Sequence, residues 1–471
     1  MFLIDQKTIC ALASGAGTGA ISLIRVSGPD AKKIIIEACP GLKKKSIQSH
    51  RAYLSKFRDS QGATIDEALI LYFENNKSYT GEETVEINCH GSPLIAKKII
   101  ERLTELGCRS AEPGEFTFRA FMNGKIDLVQ AEAVLSVIES QSESALRVSL
   151  RQLEGRLSEN FKKLESDLVW CLAHIEASID FSTEGIDVVD NDVLVQKLEN
   201  IQFRLNEMLQ SFSGGQVIQN GLKVALVGQP NVGKSSLLNL LVQKDKAIVT
   251  PIAGTTRDIV EATTQYSGLM LHLSDTAGLR ETSDVVEKIG VEKSFNEASK
   301  SDAVLFVFDL SQGLQDQDVQ LLRQIQANEL FFVGNKTDLL SPEQMTKTAE
   351  ETRKKLHEIG WSARDIEALD IHLISALDLS ARDQLLRSLT DKYINKDFLK
   401  ESVLSSARQA EMSRDALGFV GQVINELKSD VGSEYVAQTL KNALLSVQKI
   451  LGEVYDDQIM DRVFKEFCLG K

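Results

Sequence analysis

The sequence predicts a chain of mixed class, α/β and α, in which a doubly wound P-loop domain is inserted into a helical bundle that follows an N-terminal α+β domain. Three patterns lead there. Apolar residues recur at helical spacing from Asp127 onward, strand and helix signals alternate from 221 to about 393, and helical periodicity returns after 400. A compact α/β domain has its termini at the surface and often close together, so the alternating stretch reads as an insertion into one helical domain built from both flanks. The resulting bounds are 1–125 for the N-terminal domain, 126–217 and 394–471 for the two parts of the helical domain, and 218–393 for the insert.

In the N-terminal segment, ISLIRVSG (21–28) and TVEINCH (84–90) have strand composition, and SPLIAKKIIERLTELG (92–107) reads as a helix stopped by Gly107. Leu146, Leu150, Leu153, Leu157, Phe161, Leu164, Leu168, Leu172, Ile175 and Ile179 form one apolar stripe, the core face of a long bundle helix. Leu194, Leu198, Ile201, Leu205 and Leu209 continue it in a second helix, and SFSGGQ (211–216) reads as a linker. LKVALVG, LMLHLSD, AVLFVFDL, LFFVGNK and IHLISA are strands of parallel βαβ units, and YVAQTLKNALLSVQKILGEV (435–454) is again helix.

Composition narrows the functional classes. Hydrophobic residues make up 43% of the 471 and charged residues 25%, which excludes fibrous and largely disordered chains. The formal charge of −14 excludes a generally basic nucleic-acid-coating protein; residues 1–125 alone are positive, with 17 Lys+Arg against 14 Asp+Glu. An RNA partner therefore needs a local basic face or a second protein. No apolar run approaches the ~18 residues of a membrane span. Asp5 and Lys7 interrupt any signal-peptide core, and the six cysteines form no C-x-x-C pair. A cytoplasmic protein without a membrane partner is expected.

Gly228-Gln-Pro-Asn-Val-Gly233-Lys234-Ser235 follows a strand and opens a helix, the setting in which backbone N–H groups and a helix N-terminus cradle phosphates. Lys234 is expected to reach the β- and γ-phosphates and Ser235 to ligate Mg²⁺. Gly254-Thr255-Thr256-Arg257-Asp258 offers a second Mg²⁺ hydroxyl, from Thr256, and a γ-phosphate N–H. Asp275-Thr276-Ala277-Gly278 puts Asp275 behind the metal and Gly278 near the γ-phosphate. In Asn335-Lys336-Thr337-Asp338 a carboxylate can accept from guanine N1 and N2, for which adenine has no matching donors. Ser375-Ala376 would bring an N–H to guanine O6. The GTP site is thus expected to run through Asn231, Val232, Gly233, Lys234, Ser235 and Ser236. It continues through Thr250, Pro251, Ile252, Ala253, Gly254, Thr255 and Thr256, then Asp275 to Gly278, then Asn335, Lys336, Asp338, Ser375, Ala376 and Leu377. Leu279 occupies the place where Ras-like enzymes carry a water-orienting Gln; Glu287 is the nearest downstream replacement.

With these motifs in place, the chain resembles the MnmE (TrmE) family of tRNA modification GTPases over nearly its whole length. The resemblance rests on Thr8-Ile9, Ile24 to Pro29, Tyr79-Thr80-Gly81-Glu82 with Val85-Glu86-Ile87 and His90-Gly91, Pro113 to Thr117 with Arg119 to Lys125, and the closing Phe467-Cys468-Leu469-Gly470-Lys471. It implies an N-terminal tetrahydrofolate-binding and dimerising domain, and a homodimer working as a heterotetramer with an FAD-containing partner, MnmG; FAD belongs to the partner. It further implies a tRNA substrate to which an aminomethyl or carboxymethylaminomethyl group is added at carbon 5 of the wobble uridine, position 34, with a 5-formyl- or 5,10-methylene-tetrahydrofolate donor. By motif, Arg25, Glu86, Lys125 and Lys471 are expected at the folate and Cys468 as a catalytic candidate. Asn231, with oxygens of Thr250, Ile252 and Thr255, is expected at an activating K⁺, and Glu287 at the attacking water. A GTPase switch in ribosome assembly is the alternative; it has no use for Glu86, Lys125 or the FCLGK terminus. A stand-alone folate transferase leaves the GTP motifs unexplained.

Overall fold

The computed structural model describes residues 6–43, 45–180, 190–242, 260–275, 299–325, 329–360, 370–391, 393, 403–429, 431–455, 460, 463–465, 467 and 470. The chain forms two compact units, one of residues 1–138, 149–209 and 407–471, the other of 139–148 and 210–406.

The first unit contains a six-stranded sheet. Its strands are β1 (Ile9–Leu12), β2 (Ile21–Ser27), β3 (Arg51–Arg58), β4 (Thr64–Phe73), β5 (Thr84–His90) and β6 (Arg109–Ser110), in the order β3-β4-β5-β2-β1-β6. All pairs are antiparallel except β1 with β6. The helices α1 (Ala31–Ala38) and α2 (Pro93–Glu105) cover one face, burying Ile34, Ile35, Ile99 and Leu103 against Ile24, Ile70 and Ile87. On the other face, α3 (Glu115–Met122) lays Phe116 over Ile9 and Ala11, which leaves Leu54 and Leu69 of β3 and β4 exposed.

Helices follow: α4 (Leu128–Glu139), α5 (Glu143–Leu153), α6 (Arg156–Asp180) and α7 (Asn191–Asn220), of which residues 143–148 and 210–220 fall in the second unit, with Ala407–Lys428 and Ser433–Leu451 closing the first. The last helix packs on both α6 and Ala407–Lys428, and Leu157, Phe161, Leu164, Leu168 and Ile175 of α6 are buried. The single stripe expected from Leu146 to Ile179 is in fact two helices, broken at Gly155 with φ +87°. The buried face of α5 is Ala145, Val148, Ser149 and Gln152, whereas Leu146 and Leu150 are exposed.

The second unit holds β7 (Leu222–Val227), β8 (Val260–Tyr266), β9 (Leu269–Asp275), β10 (Ala303–Asp309), β11 (Leu330–Asn335) and β12 (Ile371–Leu373), ordered β12-β11-β10-β7-β9-β8. Every pair is parallel except β8 with β9. All seven residues of β10 are buried, as a strand covered on both faces requires. The predicted fold class is the observed one: an N-terminal α+β domain, helical segments and a doubly wound P-loop domain.

SFSGGQ (211–216) is helical, not a flexible linker. Gly215 lets another segment approach: a Cβ there would lie 1.9 Å from Leu404 O, and Leu404 N donates to Ser211 Oγ at 3.1 Å. Gly215→Val is therefore expected to lower the unfolding midpoint, at a cost of about 1–3 kcal/mol by overpacking; a thermal melt unchanged from wild type would contradict this packing.

Candidate functional site

The carboxyl edge of the parallel sheet gathers the nucleotide motifs, since Gly228 follows β7, Asp275 ends β9, Asn335 ends β11 and Ser375 follows β12. The phosphate loop turns from β7 into α8 (Lys234–Val242). Asn231 has φ +62° and Gly233 φ +98°, and a Cβ on Gly233 would meet Asn335 Nδ2 at 2.2 Å. That approach sets the loop's path across the sheet edge. Lys234 opens α8 and is 6% exposed; its Nζ donates to the carbonyls of Gly228 and Gln229, each at 2.8 Å. Burial pulls its pKa below the ordinary lysine value while Asp275 opposes the shift, so a phosphate would replace carbonyl dipoles with the anion a buried ammonium needs. Ser235 Oγ donates to Asp275 Oδ2 at 2.7 Å. A hydroxyl backed by a carboxylate is a hard-oxygen pair that fits Mg²⁺ held between Ser235 and nucleotide phosphates.

One side chain joins this loop to the base-reading loops. Asn335 Nδ2 donates to Val232 O at 2.8 Å, and its Oδ1 accepts from Ala376 N at 3.0 Å. The Ala376 N–H expected at guanine O6 is therefore held by Asn335 here. Ser375 Oγ donates to Asp338 Oδ1 at 2.6 Å, fixing the carboxylate's rotation. Leu377 is 81% exposed beside it. Lys336, at φ +67°, reaches Asp309 Oδ2 with its Nζ at 2.8 Å. Sequence reasoning missed Asp309. Burial raises its pKa, but the bonds from Lys336 and Ser311 outweigh that and hold it below the usual carboxylate range. The only sequence signal was an acid ending the apolar run AVLFVFD.

Thr250 to Thr256, Thr276, Ala277, Gly278 and Glu287 lie outside the described residues, as do Cys468 and Lys471.

In the first unit, Arg25 and Glu86 face each other across β2 and β5, with Nη2 to Oε1 at 2.8 Å and Nε to Oε1 at 3.1 Å. The guanidinium lies 5.4 Å from the Tyr79 ring centre and 5.7 Å from that of Phe116. Burial pushes the Tyr79 phenol up, with the Thr117 hydroxyl bond and Arg25 opposing. Lys125 joins through the loop that carries Tyr79: its Nζ donates to Asn76 O at 2.9 Å, while Asn123 Nδ2 donates to Thr80 O at 2.8 Å. Lys125 also lines an open cleft of 410 Å³ with Phe121, Met122, Lys162 and Tyr455. Gly470 packs on the chain at Leu12 and Ala13, so the C-terminal segment reaches the end of β1.

The motif residues Glu82, Glu115 and Arg119 form a structural chain that the sequence did not disclose. Arg119 bonds Glu82 at 3.0 Å and Glu115 at 2.9 Å, Arg109 bonds Glu115, and Ser27 Oγ donates to Glu82 Oε2 at 2.7 Å. These ties fasten α3 and the Tyr79 loop to the sheet, which places Phe116 and Tyr79 over Arg25. Ser14, which opens the glycine-rich segment Ser14-Gly15-Ala16-Gly17-Thr18-Gly19, accepts from Leu23 N at 3.2 Å, and Gly19 N donates to Gly91 O at 2.9 Å, docking that segment beside β5.

Two family models match the sequence: GTP-binding protein TrmE N-terminus over residues 8–125, and MnmE helical domain over residues 128–468. Proteins named tRNA modification GTPase MnmE are 43% identical in Bdellovibrio bacteriovorus, 38% in Christiangramia forsetii and 36% in Aquifex aeolicus. Each alignment covers 99% of this chain, and 98%, 99% and 100% of the respective relative. With both family models and these full-length relatives matched, the chain belongs to the MnmE family of tRNA modification GTPases.

Proposed function

We propose that this chain is a potassium-activated GTPase that, with the FAD-dependent partner MnmG, places an aminomethyl or carboxymethylaminomethyl group on carbon 5 of the wobble uridine of certain tRNAs in the cytoplasm. The observation that supports it most is the Asn335 tether, which binds a phosphate loop and a guanine-reading carboxylate into one rigid edge. In this reading Lys234 leaves its two carbonyls for the β- and γ-phosphates, Ser235 and Thr256 hold Mg²⁺, and Asp338 accepts from guanine N1 and N2. Asn231, with oxygens of Thr250, Ile252 and Thr255, holds K⁺, which supplies positive charge where the β,γ-bridge becomes negative. Glu287 orients the attacking water, a task Leu279 cannot perform.

The first unit takes the tetrahydrofolate donor. Glu86 offers an acceptor to an amino-pyrimidinone edge, Arg25 and Lys125 suit the anionic tail, and Tyr79 and Phe116 supply flat apolar walls. Lys471 completes the site and Cys468 is a nucleophile candidate; Gly470 beside Leu12 and Ala13 supports their nearness to β1. Two copies pair through the N-terminal sheet. Leu54 and Leu69 oppose each other across β3 and β4 and are 59% and 40% exposed, and Ile21, on the same face, is 65% exposed. Such a patch favours a protein partner. No helix among the described residues is long and apolar enough to cross a membrane.

Asp338→Asn is expected to weaken GTP roughly 100-fold, from two charged hydrogen bonds of about 1.5 kcal/mol each, and to improve XTP, whose 2-carbonyl takes the amide donor. Unchanged selectivity in competitive hydrolysis would refute the guanine assignment. Asn231→Ala should abolish stimulation by K⁺ over Na⁺ and leave GTP affinity intact, whereas stimulation retained in steady-state turnover would move the cation elsewhere. Sedimentation of the Leu54→Asp, Leu69→Asp double variant should give a monomer; a dimer would place the self-contact on another face.

A further inference from the structure

The helix-covered side of the N-terminal sheet carries an excess of cations. Residues 31–45 and 93–105 contain eight cations against three carboxylates, in a chain whose overall charge is −14. These segments lie on one side: α1 packs on α2, and Leu42 and Ile47, flanking the lysine run 43–45, enter the same core as Ile35 and Ile99. Lys33, Lys43, Lys45 and Lys98 are all exposed, and among the described residues no hydrogen bond or ion pair engages their side chains. The helical segments of the same unit behave differently. There Lys162 pairs with Asp127, Lys197 and Arg204 with Asp167, Lys428 with Glu199, Lys441 with Glu176 and Arg408 with Glu132. These bundle cations are neutralised internally; on the sheet's helical layer Lys97 and Arg102 pair with Glu101 and Glu105 within α2 and Lys32 lies over the Tyr72 ring, whereas Lys33, Lys43, Lys45 and Lys98 are left to solvent.

We infer that this layer, through Lys33, Lys43, Lys45 and Lys98, docks the sugar–phosphate backbone of the tRNA substrate; the inference rests on the tRNA-modifying role proposed above. The chemistry favours a polyanion over a protein. Protein interfaces want an apolar, aromatic centre, whereas Leu94 is the one large hydrophobic residue prominently exposed on α1 or α2 among the described residues, and the apolar patch sits on the opposite face of the sheet. Lysines on flexible stems suit phosphates at changing distances and read no sequence. Such a surface supplies position and affinity, leaving the choice of uridine to other groups.

The test uses the full chain and fluorescently labelled unfractionated bacterial tRNA, with binding measured across a NaCl series. Wild type should show a steep salt dependence. In Lys33→Glu, Lys43→Glu, Lys45→Glu, Lys98→Glu, affinity should fall at least about 10-fold and the log–log salt slope by up to about 4, near one per lost phosphate contact. The four Lys→Arg changes should retain both, and GTP turnover without RNA should match wild type in each variant. Unchanged affinity and slope in the Glu variant would overturn the proposal, as would capture of phosphatidylglycerol vesicles by these lysines with no binding of tRNA. Failure of the underlying reading shows differently: tRNA nucleosides would be unaltered in cells lacking the protein.

Discussion

The nucleotide site depends on one amide. Asn335 ends β11 with its side chain spanning the phosphate loop at Val232 and the base loop at Ala376, so two loops from opposite parts of the sheet share one set of coordinates. The glycine at 233 exists for that contact, because any Cβ there would occupy the amide's place. The surrounding polar pairs extend the same rigidity: Ser375 fixes Asp338, Asp309 fixes Lys336, and Asp275 fixes Ser235. A guanine and a triphosphate bound there meet groups already oriented, which reduces the ordering that binding would otherwise impose.

The N-terminal unit uses a different device for the same end. Arg25 and Glu86 sit in register on neighbouring strands, and the ion-pair chain from Arg109 to Glu82 pins two aromatic rings above them. Buried ion pairs are weak sources of stability but costly to break singly. A chain of them suits a site that needs fixed walls. In the proposed function the two faces of the unit divide the work, the open one toward a small anionic donor and a second copy, the helix-covered one toward a polyanion.

Much of this was legible because core strands of a doubly wound sheet are continuous apolar runs: β7, β10 and β11 announce themselves, and the motifs at their ends follow from spacing. The strands β3 and β4 were not legible, since an open face lets RAYLSKFR and TIDEALILYF carry charges and exposed leucines where alternation would put polar residues alone. Leu146 and Leu150 misled because periodicity cannot see the turn at Gly155 that rotates the buried face by one position. The glycine pair of SFSGGQ looks like a linker, yet Gly215 serves as a docking notch, a distinction that only a distant contact with Leu404 decides. Asp309, Glu115 and Arg119 escaped for a related reason: their partners are remote in sequence, or depend on which helix face turns inward.

In the proposed function the GTP edge and the Arg25–Glu86–Lys125 cluster serve one tRNA-modifying reaction. Nucleoside mass spectrometry of tRNA from cells lacking the protein, complemented with wild type or with Lys125→Ala, tests it most directly. The 5-substituted wobble uridine is expected to disappear and to return with wild type alone. A nucleoside profile unchanged by loss of the protein would contradict it.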